Sequence, residues 1–260
     1  MDRKAIGGIR GFALAALLLG VTVLAWVDVI RASAVMMPMP EMEPLSVASM
    51  VEFTLQWGVM MTAMMLPSAA PMILLYNGIA QQRKESGSRA IPSEAFALTY
   101  VALWLATGVP VYLAWVAVGG MAARSPAFVA VMPYAIAATL FGAGIYQLTP
   151  AKRACLRQCQ SPVDFLMRRW RSGHLASLRL AAAHAAYCIG CCWVLMLLLI
   201  VAGAMSLPWV LAISLVVFAE KVLPGGERTA RLTGIALIAA AMTVAIWPDL
   251  AGVLRRSGHS

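Results

Sequence analysis

FTLQWGVMMTAMMLPSAAPMILLY, residues Phe53–Tyr76, runs for 24 residues without a charge. At ~1.5 Å per helical residue such a run outreaches the ~30 Å hydrocarbon core of a bilayer. A helix of this length in a soluble domain would carry a polar stripe, and this one has none. Comparable apolar runs lie at 11–30, 95–119, 128–148, 178–202, 208–222 and 230–247. The chain as a whole is 62% hydrophobic, against roughly 45–50% for soluble domains. Its mean hydropathy is +0.81. No series of alternating strands appears, which argues against a β-barrel. The reading is an all-α, polytopic helical membrane protein forming one integral membrane domain over 1–260. About seven spans are expected, or six if the last segment does not cross. Ala32-Ser33-Ala34 resembles a signal-peptide cleavage site, but the preceding apolar run exceeds a signal core, so the first span is read as retained.

The net charge is +9, from 20 Lys and Arg against 11 Asp and Glu. No aromatic-basic RNA module or DNA-reading motif accompanies the charge, so nucleic acid is excluded as a partner. The basic residues instead fall in segments between spans, where they set orientation. With the N-terminus in the cytoplasm, 16 of the 20 lie on that side, and Arg31, Arg124, Arg255 and Arg256 lie on the other. The longest connection, about 149–176, is strongly basic and reads as a cytoplasmic loop that could dock an acidic carrier or anionic lipid.

The chemistry is concentrated in sulfur. All five cysteines fall between 155 and 192. His184, Cys188, Cys191 and Cys192 recur at helical spacing on one stripe of the fifth span. Thiolate and imidazole suit Cu(I) first and Zn(II) second. A single helix presents too few donors to enclose an ion, so neighbouring spans are expected to contribute. Cys155 and Cys159 form a C-x-x-x-C pair in the basic loop, where Lys152, Arg153 and Arg157 are expected to favour thiolate. Five cysteines in a reducing compartment argue against a disulfide framework. The alternative for the membrane cysteines is helix packing as small apolar residues.

Methionine is the second soft donor, with 17 in the chain. Met36, Met37, Met39 and Met42 lie in a proline-broken outer segment. Met60, Met61, Met64 and Met65 lie in the second span, just before Pro67, where a kink is expected. Met61 and Met65 are candidate co-ligands, although methionine is equally a packing residue. The vertical order is thioether outside, thioether and thiol near mid-membrane, thiol inside. That order fits a soft-ion relay with Cys155 and Cys159 as its cytoplasmic exit. Asn77, Tyr146 and Gln147 read as interface residues. Glu220 and Lys221, being adjacent, cannot face each other on a helix and need separate partners.

The stretches Trp57–Pro67, Thr149-Pro150 with Cys155-x-x-x-Cys159, His184 through Cys188-x-Gly190-Cys191-Cys192-Trp193, and Glu220-Lys221 resemble the bacterial "predicted metal-binding integral membrane protein" family. The resemblance covers about 50–245. It implies a multi-span protein of the bacterial inner membrane with a bound metal. The expected function is soft-metal binding, transfer or transport, with copper as the ion. Its partners are the bilayer and a cytoplasmic metal carrier or membrane partner protein, and no enzymatic step is assigned. Two rivals use the same residues: a membrane thiol-disulfide oxidoreductase, and a scaffold or assembly factor whose cysteines only pack.

Overall fold

The computed structural model describes residues 3–34, 46–85, 87, 89–201 and 207–250. Among these the chain is helical, with ten segments and no strand. The first is α1, Arg3–Ala34, and the second α2, Val47–Glu85. Next come α3, Ser93–Ala106, α4, Gly108–Arg124, and α5, Pro126–Leu148. Then follow α6, Pro150–Gln160, and α7, Pro162–Arg169. The last three are α8, His174–Val201, α9, Leu207–Val222, and α10, Gly226–Ile246. The methionine segment 36–42 lies outside the described residues, as does the turn that precedes α9.

Six stretches are long and apolar enough to cross a membrane. They are α1, α2, the α3–α4 pair, α5, α8 and α10. The sixth expected run, 208–222, forms α9, which has 16 residues and is not among these six. The third expected span is not one helix. It is interrupted at Thr107, whose hydroxyl donates to the Trp104 carbonyl (2.6 Å) and accepts from Trp57 Nε1 (2.9 Å). By contrast, α2 continues unbroken across Pro67 and Pro71.

The expected loop 149–176 is mostly structured, as α6 and α7. Thr149-Pro150 and Ser161-Pro162 open these two helices, as Ser125-Pro126 opens α5. Proline at the first helical position gives up an N–H that would be unpaired anyway. The Thr149 hydroxyl accepts from the Lys152 N–H, and Ser125 accepts from the Phe128 N–H, capping two of the three. A chain that looks polar and basic therefore folds back onto the bundle.

Two helices, α2 and α8, form the heart of the bundle, with more than half of their apolar windows buried. The others surround them and present apolar side chains outward: Leu98, Leu215 and Leu232 are each 68% exposed. Lys152, meanwhile, is fully buried. Apolar groups outside and charge inside is the inversion expected of a helix bundle in lipid. Small residues let the helices close. A Cβ on Gly144 would come within 2.7 Å of the Gly234 carbonyl, and one on Gly234 within 2.9 Å of the Gly144 carbonyl. This is the small-residue contact by which membrane helices approach.

Candidate metal centre

The stripe read on α8 is real. His184, Cys188, Cys191 and Cys192 are all buried, while Trp193 is 44% exposed on the opposite side. All five cysteines are free thiols. Cys191 and Cys192 both turn back to the Cys188 carbonyl, at 3.1 and 2.9 Å. That is the local bond a thiol makes one turn down a helix.

Three other helices bring donors to this face. From α2, Met65 Sδ lies 3.9 Å from Cys192 Sγ. From α9, the Lys221 ammonium donates to Cys188 Sγ at 2.8 Å. It also lies 3.6 Å from Met65 Sδ and 3.9 Å from Cys192 Sγ. From α3, the Tyr100 hydroxyl lies 2.9 Å from Cys188 Sγ. Two thiols and a thioether thus surround one buried ammonium. Of the two methionine candidates, Met65 makes the sulfur contacts; Met61 is fully buried one turn earlier in α2.

Cys155 and Cys159 do not stand apart as a separate station, because α6 packs them against α8. Cys159 Sγ is 4.0 Å from Cys191 Sγ. A Cβ on Gly190 would lie 3.0 Å from Cys155 Sγ, so the glycine makes room for that thiol. The expected thiolate character is also reversed. Burial, then the nearby Cys191, pushes the Cys155 thiol above its ordinary range, and Lys152 offsets this only in part. Cys159 is held well above that range by its hydrogen bonds with Cys188 and Cys191 and by burial. The basic residues that suggested thiolate are occupied elsewhere or face solvent.

Lys152 is the clearest case. It points inward, pairs with Glu220 Oε2 at 2.6 Å and donates to the Cys191 carbonyl. Gln147 donates to the other carboxylate oxygen at 2.7 Å, and Gln160 to the Glu220 carbonyl at 2.7 Å. Tyr146 donates to the Gly190 carbonyl at 2.5 Å. Gln147 and Tyr146 are therefore internal ties and not interface residues. Lys152 and Lys221 are internal charges, although the orientation count took them as loop cations. Glu220 and Lys221 do find separate partners, on different faces of α9. Immediately beyond them Gly225 adopts φ +87° and Gly226 comes so close that a Cβ would lie 1.9 Å from the Glu220 carbonyl. The Pro224-Gly225-Gly226 break thereby seats the end of α9 against α6.

His184 occupies an aromatic box. Its ring centroid lies 5.4 Å from that of Tyr100, 5.8 Å from Phe165 and 6.4 Å from Phe96. Both ring nitrogens are buried without a hydrogen-bond partner. Sequence reasoning missed Tyr100, whose one phenol in a long apolar run carries no distinguishing signal. It also missed the site role of Lys221, although a lysine inside an apolar segment is itself a sign of function.

Among the described residues no group of three or more His, Cys, Asp or Glu side chains is arranged to hold a metal. A thioether does lie beside the thiols. Cys188, Cys192 and Met65 are chemically suited, since thiol and thioether together favour Cu(I) over hard ions. Two sulfur ligands each ~2.3 Å from one ion stand roughly 3.7–4 Å apart at tetrahedral to trigonal angles. The Cys192–Met65 separation of 3.9 Å already meets that spacing.

The fold and the site together define an all-α polytopic protein with a sulfur cluster buried between its two central helices. The chain belongs to the PpoB2 copper-chaperone family, whose model matches residues 54–244. No curated protein and no solved structure matches it.

Proposed function

We propose that this protein is a copper chaperone of the bacterial inner membrane that holds Cu(I) between α2 and α8 and passes it on. Cys188, Cys192 and Met65 are the ligands, and Cys191 with Cys159 forms the adjoining thiol step. The carrying observation is the convergence of two thiols and one thioether from two helices within 4 Å of a single point, now taken by the Lys221 ammonium. Membership of a copper-chaperone family supports the ion. The Lys and Arg distribution supports a cytoplasmic N-terminus, and α6, with Cys155 and Cys159, then lies on the cytoplasmic side. Exposed Arg157 and Arg168 on α6 and α7 offer a surface for an acidic carrier or anionic lipid.

The test is metal analysis of the protein purified in detergent under reducing conditions and loaded with Cu(I), beside the Cys188/Cys191/Cys192→Ser variant. Near-stoichiometric copper, lost in the variant, is the expected result. Absence of copper from the wild-type protein after loading overturns the reading.

A second reading rests on a specific contact. Cys159 and Cys191 stand 4.0 Å apart, close enough for a small movement to join them. In a thiol oxidoreductase this pair would cycle between dithiol and disulfide, and Met65 would be dispensable. Trapping a reversible Cys159–Cys191 disulfide together with wild-type function in Met65→Leu would favour it.

A further inference from the structure

We infer that Lys221 is the resident counter-cation of the sulfur site and that it selects a monovalent over a divalent ion. The inference rests on the copper reading above and adds the residue that sets the charge of the ion accepted.

Lys221 lies in the last turn of α9, beside Glu220, and is only 6% exposed. Its ammonium faces Cys188, Met65 and Cys192, all sulfur acceptors. The neighbouring carboxylate, Glu220, points away and is already matched by Lys152 and Gln147. Tyr100 adds a neutral hydroxyl at Cys188, and His184 lies beyond it in its aromatic box. A buried ammonium among neutral sulfurs is poorly compensated. It is compensated when the sulfurs carry negative charge.

Charge balance then decides the cargo. Two thiolates, Cys188 and Cys192, and a neutral thioether, Met65, give the ligand set a charge of −2. Lys221 supplies +1. One Cu(I) brings the buried assembly to zero, whereas a divalent ion leaves one positive charge unmatched. In a low-dielectric interior that residual charge is strongly disfavoured. Without Lys221 the same ligands would be neutral with Zn(II) and anionic with Cu(I). The ammonium thus converts a donor set that tolerates either ion into one matched to a single positive charge. Nothing in the ligand identities alone does this, because thiols serve both ions.

The experiment measures Cu(I) and Zn(II) affinities of the full-length protein in detergent by competition with chelators specific for each, under reducing conditions. Five proteins are compared: wild type, Lys221→Met, Lys221→Arg, Cys192→Met and Cys192→Met/Lys221→Met. Lys221→Met is expected to lose ~100-fold or more in Cu(I)-over-Zn(II) preference, the scale of one uncompensated buried charge. Lys221→Arg should keep the wild-type preference. Cys192→Met removes one negative charge and should bind Cu(I) weakly. Removing Lys221 as well restores neutrality with Cu(I), so the double variant should recover affinity. A residue needed only for packing would not produce that rescue. An unchanged ion preference in Lys221→Met, or a double variant no better than Cys192→Met, overturns the inference. If both Lys221→Met proteins fail to elute as folded species, Cys192→Met binding Cu(I) as tightly as wild type overturns it alone. Failure of the wild type to bind Cu(I) refutes the copper reading itself. Copper lost in the triple serine variant but indifferent to Lys221 refutes only the counter-cation.

Discussion

Lys152 and Lys221 are both buried ammonium groups against α8, and they are answered in opposite ways. Lys152 meets a carboxylate, Glu220, whose second oxygen is taken by Gln147 and whose backbone carbonyl is taken by Gln160. Lys221, one residue from that carboxylate, meets thiols and a thioether. The first arrangement cancels its own charge and gives both carboxylate oxygens a donor. It leaves nothing for a ligand and fastens α6 to α8 and α9. The second leaves a positive charge against weak acceptors that metal ions also prefer. Adjacent positions on one helix thus carry a structural lock and a reactive pocket, because residues i and i+1 point about 100° apart.

The largest effect should come from breaking the lock. Glu220→Ala leaves a fully buried ammonium opposite no carboxylate, and Lys152→Met leaves the reverse. Removing one partner of a buried pair costs ~3–5 kcal/mol. Both variants should melt well below wild type in detergent, or fail to elute as a single species. Because Lys152 also holds the Cys191 carbonyl, a folded survivor should show looser α6, read as faster proteolysis within 150–169. A wild-type melting temperature for Glu220→Ala would show that water or lipid satisfies Lys152, and the distinction between the two lysines would fall.

The two sites also differ in how far the sequence reveals them. The bundle was legible because length and the absence of charge are properties of single segments: five of the seven expected runs lie, to within a residue or two at their ends, inside single helices long and apolar enough to cross. The α8 stripe was legible for the same reason, since 184, 188, 191 and 192 share a face by periodicity alone. What failed depended on pairing between distant segments. The basic stretch 149–176 looked like a loop because its charges were read as solvated. Its Lys152 in fact has a carboxylate 68 residues away, which no local pattern announces. The break at Thr107 was local by contrast, since Pro110 offers no N–H to the Ala106 carbonyl. The start signals of α6 and α7, Thr149-Pro150 and Ser161-Pro162, were present in the sequence and argued for helices there. The short run expected at 208–222 is the helix α9, 16 residues long, and its apolar stretch was legible in the same way.

A smaller and more selective effect concerns the thiols of α6. They were expected to be thiolates because of neighbouring cations, and their placement makes them the opposite. Burial and the α8 thiols hold both above the usual thiol range. At pH 7 the folded protein should therefore react with iodoacetamide at Cys155 and Cys159 more slowly than the denatured chain does. The sign is that of an acid whose native value is raised: the native thiolate fraction is lower at neutral pH and catches up only as pH climbs past the raised value. Mass-spectrometric mapping of alkylation against pH measures this site by site. Rapid native alkylation of Cys159 at pH 7 would restore the thiolate reading and loosen its tie to Cys191.

The smallest expected effect separates ligand from lining at His184. Its place on the cysteine stripe makes it a candidate co-ligand, yet its ring is enclosed by Phe96, Tyr100 and Phe165. An imidazole with both nitrogens buried and unpartnered suffers a desolvation penalty that a phenyl ring would not. His184→Phe adds ring volume among aromatic neighbours that already stack, so the box should accept it with little strain. The variant should hold copper at wild-type stoichiometry, and its melting temperature should stay level or rise. Loss of copper with the fold intact would mean that the imidazole turns toward Cys188 when the ion arrives. The pocket beside Lys221 would then have a nitrogen ligand, and the contrast between the two lysines would become one between a sealed ion pair and a two-helix metal site with mixed nitrogen and sulfur donors.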